Sequence, residues 1–231
     1  MRFRLITALL TVSVAGLALA TSAGAALIGI YRNAMESTGQ RAQVVKLAGE
    51  RCGRGGSDHA FRMTVGKQTK ECTYRTPVLG RDLEIAATAR LLSNTPESLQ
   101  KKAYLALNLR SGDGGHYQLA VYPMQGKSQL RKVLPDGSIQ YLQIEKNVKT
   151  VQGLNKANDL RLRAFNVTGG PEKGSCRILA YVGGTLVGDV VDPAAGELQG
   201  RASGFSVGAS TIAKGAVASV DNLVIRVPSP F

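Results

Sequence analysis

Asp82 and Glu84 stand two residues apart, so on an extended strand both carboxyl groups point to one face. Two carboxyl groups flanking a sugar bond are what glycoside hydrolysis requires, and with Asp113 and Glu145 this pair supplies the candidate acids and bases of the chain. The competing reading makes Asp82 and Glu84 solvent-facing partners of nearby arginines. Gly204-Phe205-Ser206-Val207-Gly208 spells the GxSxG elbow of a serine nucleophile, which needs a strand-to-helix turn. Here Phe205 and Val207 alternate with Ser206 as in a strand, no helical pattern follows, and His59 and His116 both lie upstream, where that order needs a histidine downstream. Ser206 therefore reads as a strand residue.

Metal chemistry is represented by Asp189, Asp192 and Asp221, near turns where carboxylates and backbone carbonyls could gather the oxygens of a calcium site. The alternative is that Asp192-Pro193 and Asp221-Asn222 make turn hydrogen bonds. Two histidines and three scattered cysteines give no zinc-ligand spacing. Gly53-Arg54-Gly55-Gly56 lacks the Gly-Lys-Ser/Thr ending of a phosphate loop.

Charge offers a binding chemistry. The formal net charge is +13, a field that attracts polyanions. Lys127, Arg131, Lys132, Lys146, Lys149, Lys156, Arg161 and Arg163 face only Asp136, Glu145 and Asp159 in the same stretch, a local excess of five. Arg161 and Arg163 share a strand face opposite Leu160 and Leu162. With Lys127, Arg131 and Lys132 they are the candidate polyanion contacts, and a solvated outer face is the alternative.

The first thirty residues decide which polyanion. Arg2 and Arg4 precede an apolar stretch from Leu5 to Ala20 and the small-residue run Ala23-Gly24-Ala25, the layout of a secretory signal. The apolar character resumes at Ala26 and continues to Ile30, so residues 5–30 are also long enough to anchor the chain in a bilayer. Either outcome places the remainder outside the cytoplasm. The expected partners are anionic wall polymers or acidic glycans, and no nucleic acid. Three cysteines in an exported chain predict one disulfide and one thiol. Cys52–Cys72 closes a short loop and is the expected pair, with Cys52–Cys176 and Cys72–Cys176 as alternatives.

The elements that must position these residues are strands. Apolar alternation runs through 60–65, 71–76, 82–92, 102–109, 117–123, 129–134, 138–145, 159–167, 176–182 and 185–190, and two more strands close the chain. Gly183-Gly184 is a two-residue hairpin signal and Pro135-Asp136-Gly137 a tight turn. Residues 93–101 could hold a helical turn, with Pro96 near its start. Twelve short strands predict an all-β fold of two packed antiparallel sheets. The expected layout is an N-terminal hydrophobic helix as signal or anchor over 1–30, a linker and glycine-rich loop over 31–59, and one sandwich over 60–231.

From about Arg41 to Pro228 the chain resembles the bacterial concanavalin A-like, laminin-G-like jelly rolls of the lectin and glucanase family. The resemblance is carried by Arg81-Asp82-Leu83-Glu84-Ile85, Asn158-Asp159-Leu160-Arg161-Leu162, the Tyr181-to-Val187 hairpin, and Gly204 with Asp221-Asn222-Leu223-Val224-Ile225. Such domains bind glycans or proteins or hydrolyse sugars, and retaining glucanases of this shape carry a Glu-x-Asp-x-x-Glu strand that this chain does not spell. The leader, these fold markers and the basic excess together point to an exported, non-enzymatic binding module for an acidic or polysaccharide component of the cell envelope. Tyr117, Tyr122 and Tyr141 are its candidate stacking surfaces. A glycoside-active enzyme of the same fold and a structural module working through protein contacts are the alternatives.

Overall fold

The computed structural model describes residues 27–46, 51–57 and 60–228. In chain order these form β1 (Leu27–Asn33), α1 (Thr38–Ala42), β2 (Val45–Lys46), β3 (Cys52–Ser57), β4 (Ala60–Val65), β5 (Glu71–Leu79), β6 (Leu83–Leu91) and α2 (Glu97–Gln100). They continue as β7 (Ala103–Gly112), β8 (Gly115–Tyr122), β9 (Lys127–Val133), β10 (Ile139–Glu145), β11 (Asn158–Asn166), β12 (Cys176–Val182), β13 (Thr185–Asp192), β14 (Ala202–Ala209) and β15 (Val217–Pro228). The first sheet runs β13-β12-β11-β6-β15-β4-β3, with β1 also on β15; the second runs β10-β9-β8-β7-β14-β5-β2. Neighbouring strands pair antiparallel throughout, which gives the expected two-sheet jelly-roll sandwich.

Alternation along each strand decides what lies between the sheets. Leu105, Leu107 and Leu109 of β7 and Leu119 and Val121 of β8 point inward, as do Leu160, Leu162, Ile178 and Ala180 of the first sheet. Phe61, Tyr74 and Phe205 knit the sheets at one end, edge to face at 4.7 and 5.6 Å between centroids. Each large apolar side chain buried this way contributes about 1.5–3 kcal/mol. Gly183 and Gly184 both have positive φ, 55° and 79°, as a tight β12–β13 hairpin requires.

The amino-terminal part differs from the sequence-based layout. Residues 1–26 of the expected leader, and with them its hydrophobic helix, lie outside the described residues. Leu27–Ile30, counted there as leader, belong to β1 and pair with the end of β15. Among the described residues no helix is long and apolar enough to cross a membrane. β15 is long enough for two partners on one side: Val217–Val220 take β4, and Leu223–Pro228 take β1. The switch falls where Asn222 adopts φ 51°, a left-handed conformation asparagine tolerates.

The expected linker over 31–59 likewise contains β1's end, α1, β2 and β3. Its glycine-rich portion was expected as a loop, yet from Cys52 on it is an edge strand paired with β4. One of its glycines, Gly56, is set by a close approach. Arg41 donates to the Met35 carbonyl at 2.8 Å and lies against Gly56, where a Cβ would sit 2.2 Å from its Nε. A side chain there would displace that arginine.

Cys52 and Cys72 form the expected disulfide, 20 residues apart, joining β3 of the first sheet to β5 of the second. Cys176 is a buried free thiol whose pKa burial pushes up to about 11. A cross-link of this span restricts the unfolded chain. Replacing both Cys52 and Cys72 by serine is expected to lower the unfolding free energy by about 3 kcal/mol, read from denaturant midpoints. Unchanged stability would show that the sandwich holds the two sheets without it.

Candidate functional site

The outward face of the second sheet is polar where a solvated sheet would merely alternate. Across six strands, Tyr141 of β10 stands opposite Arg131, Arg131 opposite Gln118, Gln118 opposite Asn108, Asn108 opposite Gly204, and Gly204 opposite Arg75. The next row holds Gln129, Ala120, Ala106, Ser206 and Thr73. Beyond it, Tyr122 and Tyr104 approach to 5.4 Å between ring centroids. Alanines and glycines at the centre leave room for the longer side chains to lie flat.

Arg131 occupies that room and is only 2% exposed. Its Nε donates to Gln118 Oε1 at 2.7 Å and its Nη2 to the same oxygen, while Nη1 reaches Gln129 Oε1 at 3.3 Å and the Tyr122 hydroxyl at 3.4 Å. Its guanidinium carbon lies 4.7 Å from the Tyr104 ring centre. Gln118 Nε2 then donates to Glu71 Oε1 at 2.7 Å and Asn108 Oδ1 at 2.9 Å. Asn108 Nδ2 donates to Ser206 Oγ at 2.6 Å, and Ser206 Oγ to Thr73 Oγ1 at 3.1 Å. Tyr104 donates to Glu71 Oε2 at 2.7 Å, and burial followed by the Glu71 charge holds its hydroxyl well above the usual phenol range. One hydrogen-bonded chain thus runs from β9 to β5.

The rim of this floor is open. Tyr141 is 52% exposed, with Ile139 and Ile144 beside it on β10. Lys127 sits 4.0 Å above the Tyr122 ring. The floor is buried and holds the rim in place, and an exposed aromatic ring beside a lysine ammonium suits a ligand with a flat apolar face and polar edges.

Of the residues singled out by sequence, Lys127, Arg131, Tyr122 and Tyr141 meet here. Lys132 and Tyr117 do not. Lys132 follows Arg131 and therefore points inward, where its Nζ lies 2.7 Å from Asp192 Oδ2. Tyr117, fully buried, donates to the same oxygen at 2.5 Å. Arg161 and Arg163 lie on β11 of the first sheet, 4.0 Å above Tyr181 and 4.7 Å above Phe165. The calcium candidates also separate. Asp192 is neutralised by Lys132, Asp189 binds Arg177 at 2.7 and 2.9 Å, and Asp221 accepts from Asn222. No cluster of three metal-ligating side chains occurs among the described residues.

The candidate acids of an enzyme are dispersed as well. Asp82 is bound by Arg110 and the Asn166 amide, Glu84 by Arg226 on the first sheet, Asp113 lies in the β7–β8 hairpin, and Glu145 accepts from Gln143 on β10. Sequence reasoning missed Glu71, Tyr104, Asn108 and Gln118. Part of their signal was available: Asn108 alternates with Leu107 and Leu109, and Gln118 with Tyr117 and Leu119, on otherwise apolar strands.

No protein-family profile and no curated protein matches the chain. Solved structures do. A protein of unknown function with a galectin-like fold from Bacillus subtilis is similar with TM-score 0.60 and 10% identity, over 87% of this chain and 97% of that one. The carbohydrate binding module CBM66 from Bacillus subtilis is similar with TM-score 0.58 and 15% identity, over 78% and 93%. The Emp46p carbohydrate recognition domain gives 0.55 and 13%, over 85% and 94%. At these identities the likeness establishes the galectin-like, concanavalin A-like sandwich.

His116 adds a pH response to this face. Burial pushes its imidazole pKa down, Glu71 opposes that, and Arg131 and Arg75 reinforce it. An unfolded histidine titrates near about 6.5, so the unfolded chain binds this proton more readily than the folded one. Stability is then lost as pH falls from about 6.5 toward the lower folded value. Melts of the wild type and His116→Gln across pH 7.5 to 5 are expected to diverge, the variant losing less on acidification; parallel curves would contradict the assignment.

Proposed function

We propose that this chain is an exported, non-enzymatic β-sandwich that binds an acidic or neutral polysaccharide of the cell envelope on the outward face of its second sheet. The observation that carries this reading is the open rim of that face, the half-exposed Tyr141 ring with Ile139, Ile144 and Lys127, seated on a buried hydrogen-bonded floor that runs from Arg131 through Gln118 and Asn108 to Ser206. Such a floor is fixed before a ligand arrives, so little ordering is needed on binding. Support for a sugar comes from the similar solved structures that are named as carbohydrate-binding domains. Support for export comes from the disulfide and from the charged-then-apolar order of the first residues. The glycoside-active alternative lacks a comparable support, since its candidate carboxylates are spread over both sheets.

Affinity electrophoresis of the full chain through gels carrying neutral and acidic polysaccharides tests the proposal. At least one polymer is expected to retard the protein. Tyr141→Ala, which removes an exposed ring, should weaken that retardation about tenfold, the upper end of an aromatic contact worth about 0.5–1.5 kcal/mol, with an unchanged melting temperature. Lys127→Ala should weaken it less. Migration unaffected by every polymer of the panel would end the reading.

A further inference from the structure

One end of the polar face opens into a cleft of about 430 Å³ between Arg75 and Leu79 of β5, the β7–β8 hairpin, and the segment from Glu197 to Ala202 that enters β14. Two adjoining lobes of about 480 and 440 Å³ share its walls through Arg201 and Gln199 and extend past Arg81 and Asn166. Glycine makes this cleft possible. A Cβ on Gly112 would stand 2.7 Å from the Gly200 Cα, and one on Gly200 2.3 Å from the Arg110 carbonyl oxygen. Hairpin and loop therefore close on each other backbone to backbone.

The charges of the cleft do not balance. Arg75, Arg81, Arg110, Lys173 and Arg201 line the three lobes, and the acids lining them are Asp82, Asp113 and Glu197. Two positive charges are left over. Arg110, buried at φ 54°, donates to Asp82 and Asn166 and so removes Asp82 from the account. Glu197 lies 3.5 Å from Lys132. No carboxylate of the described residues pairs with Arg75, Arg81 or Arg201. Arg75 Nε is buried without any hydrogen-bond partner, and so is His116 Nε2 on the neighbouring stretch of β8. The third such atom, Arg163 Nε, is on the other sheet. A buried donor without an acceptor is an exception that asks for a ligand or another explanation.

We infer that this cleft is the subsite for a sugar unit carrying one negative charge, a carboxylate held between Arg75 and Arg201, with the rest of the glycan running onto the polar face. The inference rests on the glycan reading of that face and adds the class of sugar and the residues that select it. Guanidinium forks match the planar, two-oxygen edge of a carboxylate. Asp113 and Glu197 in the same lobe accept from sugar hydroxyls and disfavour a doubly charged group.

The test compares polygalacturonate with its fully methyl-esterified form, which has the same backbone without the charge, against the full chain. Polygalacturonate is expected to bind at least tenfold more tightly. Arg75→Gln and Arg201→Gln should each erase most of that difference, and Arg201→Gln should leave the ester's affinity and the melting temperature unchanged. Equal affinity for the two polymers, or variants that weaken both alike, would overturn the cleft and leave the sheet face standing. Tighter binding of dextran sulfate, weakened as much by Arg161→Gln on the other sheet, would show charge attraction without a site and also overturn it. If neither pectin form binds, galacturonate is titrated while the arginine Nε–H NMR signals are followed. Shifts at Arg75 and Arg201 support the subsite on its own; none at tens of millimolar sugar refutes it.

Discussion

A guanidinium almost without exposed surface has to be satisfied where it lies, because an unpaired buried charge costs several kcal/mol. Arg131 sets that requirement for the whole outward face of the second sheet. Its Nε and Nη2 both take Gln118 Oε1, which fixes the direction of the Gln118 amide. The Gln118 nitrogen must then find acceptors, and Asn108 Oδ1 and Glu71 Oε1 are in reach. That choice orients Asn108 toward Ser206, and it leaves the second Glu71 oxygen for Tyr104. Each donor dictates the next acceptor. A neutral amide thereby links a cation on β9 to a carboxylate on β5, and the chain between them has one consistent sense.

The residue after Arg131 imposes the same requirement on the opposite side. Lys132 is 1% exposed between the sheets, and Asp192 at the end of β13 answers it at 2.7 Å. The Tyr117 hydroxyl donates to the same carboxylate oxygen, and burial together with this bond raises its pKa. β9 thus organises polar chemistry on both its faces. Outward it supplies the cation from which the hydrogen-bonded floor starts. Inward it ties the second sheet to an edge strand of the first, where removing one partner of such a pair typically costs about 3–5 kcal/mol.

The sandwich was legible from the chain because alternation is a local signal: Ala60–Val65 and Cys176–Val182 have the same limits in sequence and structure. The turn at Gly183-Gly184 and the Cys52–Cys72 pair were readable for similar reasons, the one from glycine's freedom and the other from loop length. β1 and β3 were not. β1 looks like the tail of an apolar leader until its register with β15 is known, and the glycines of β3 read as a loop until their register with β4 is known. The site was half legible. Charge counting found Lys127 and Arg131, but which neighbours lie across from Arg131 depends on the strand order β10-β9-β8-β7-β14-β5, and nothing local in the chain encodes that order.

Strand order also changes what the net charge of +13 means. The basic run from Lys127 to Arg163 looks like one patch in the sequence, yet the sandwich divides it between two sheets facing opposite ways. Arg161 and Arg163 are laid over aromatic rings, and Arg131 is committed to Gln118. A cation already held by a ring or an amide contributes to the long-range field but cannot donate freely to a ligand. Long-range attraction raises the rate of encounter with any polyanion.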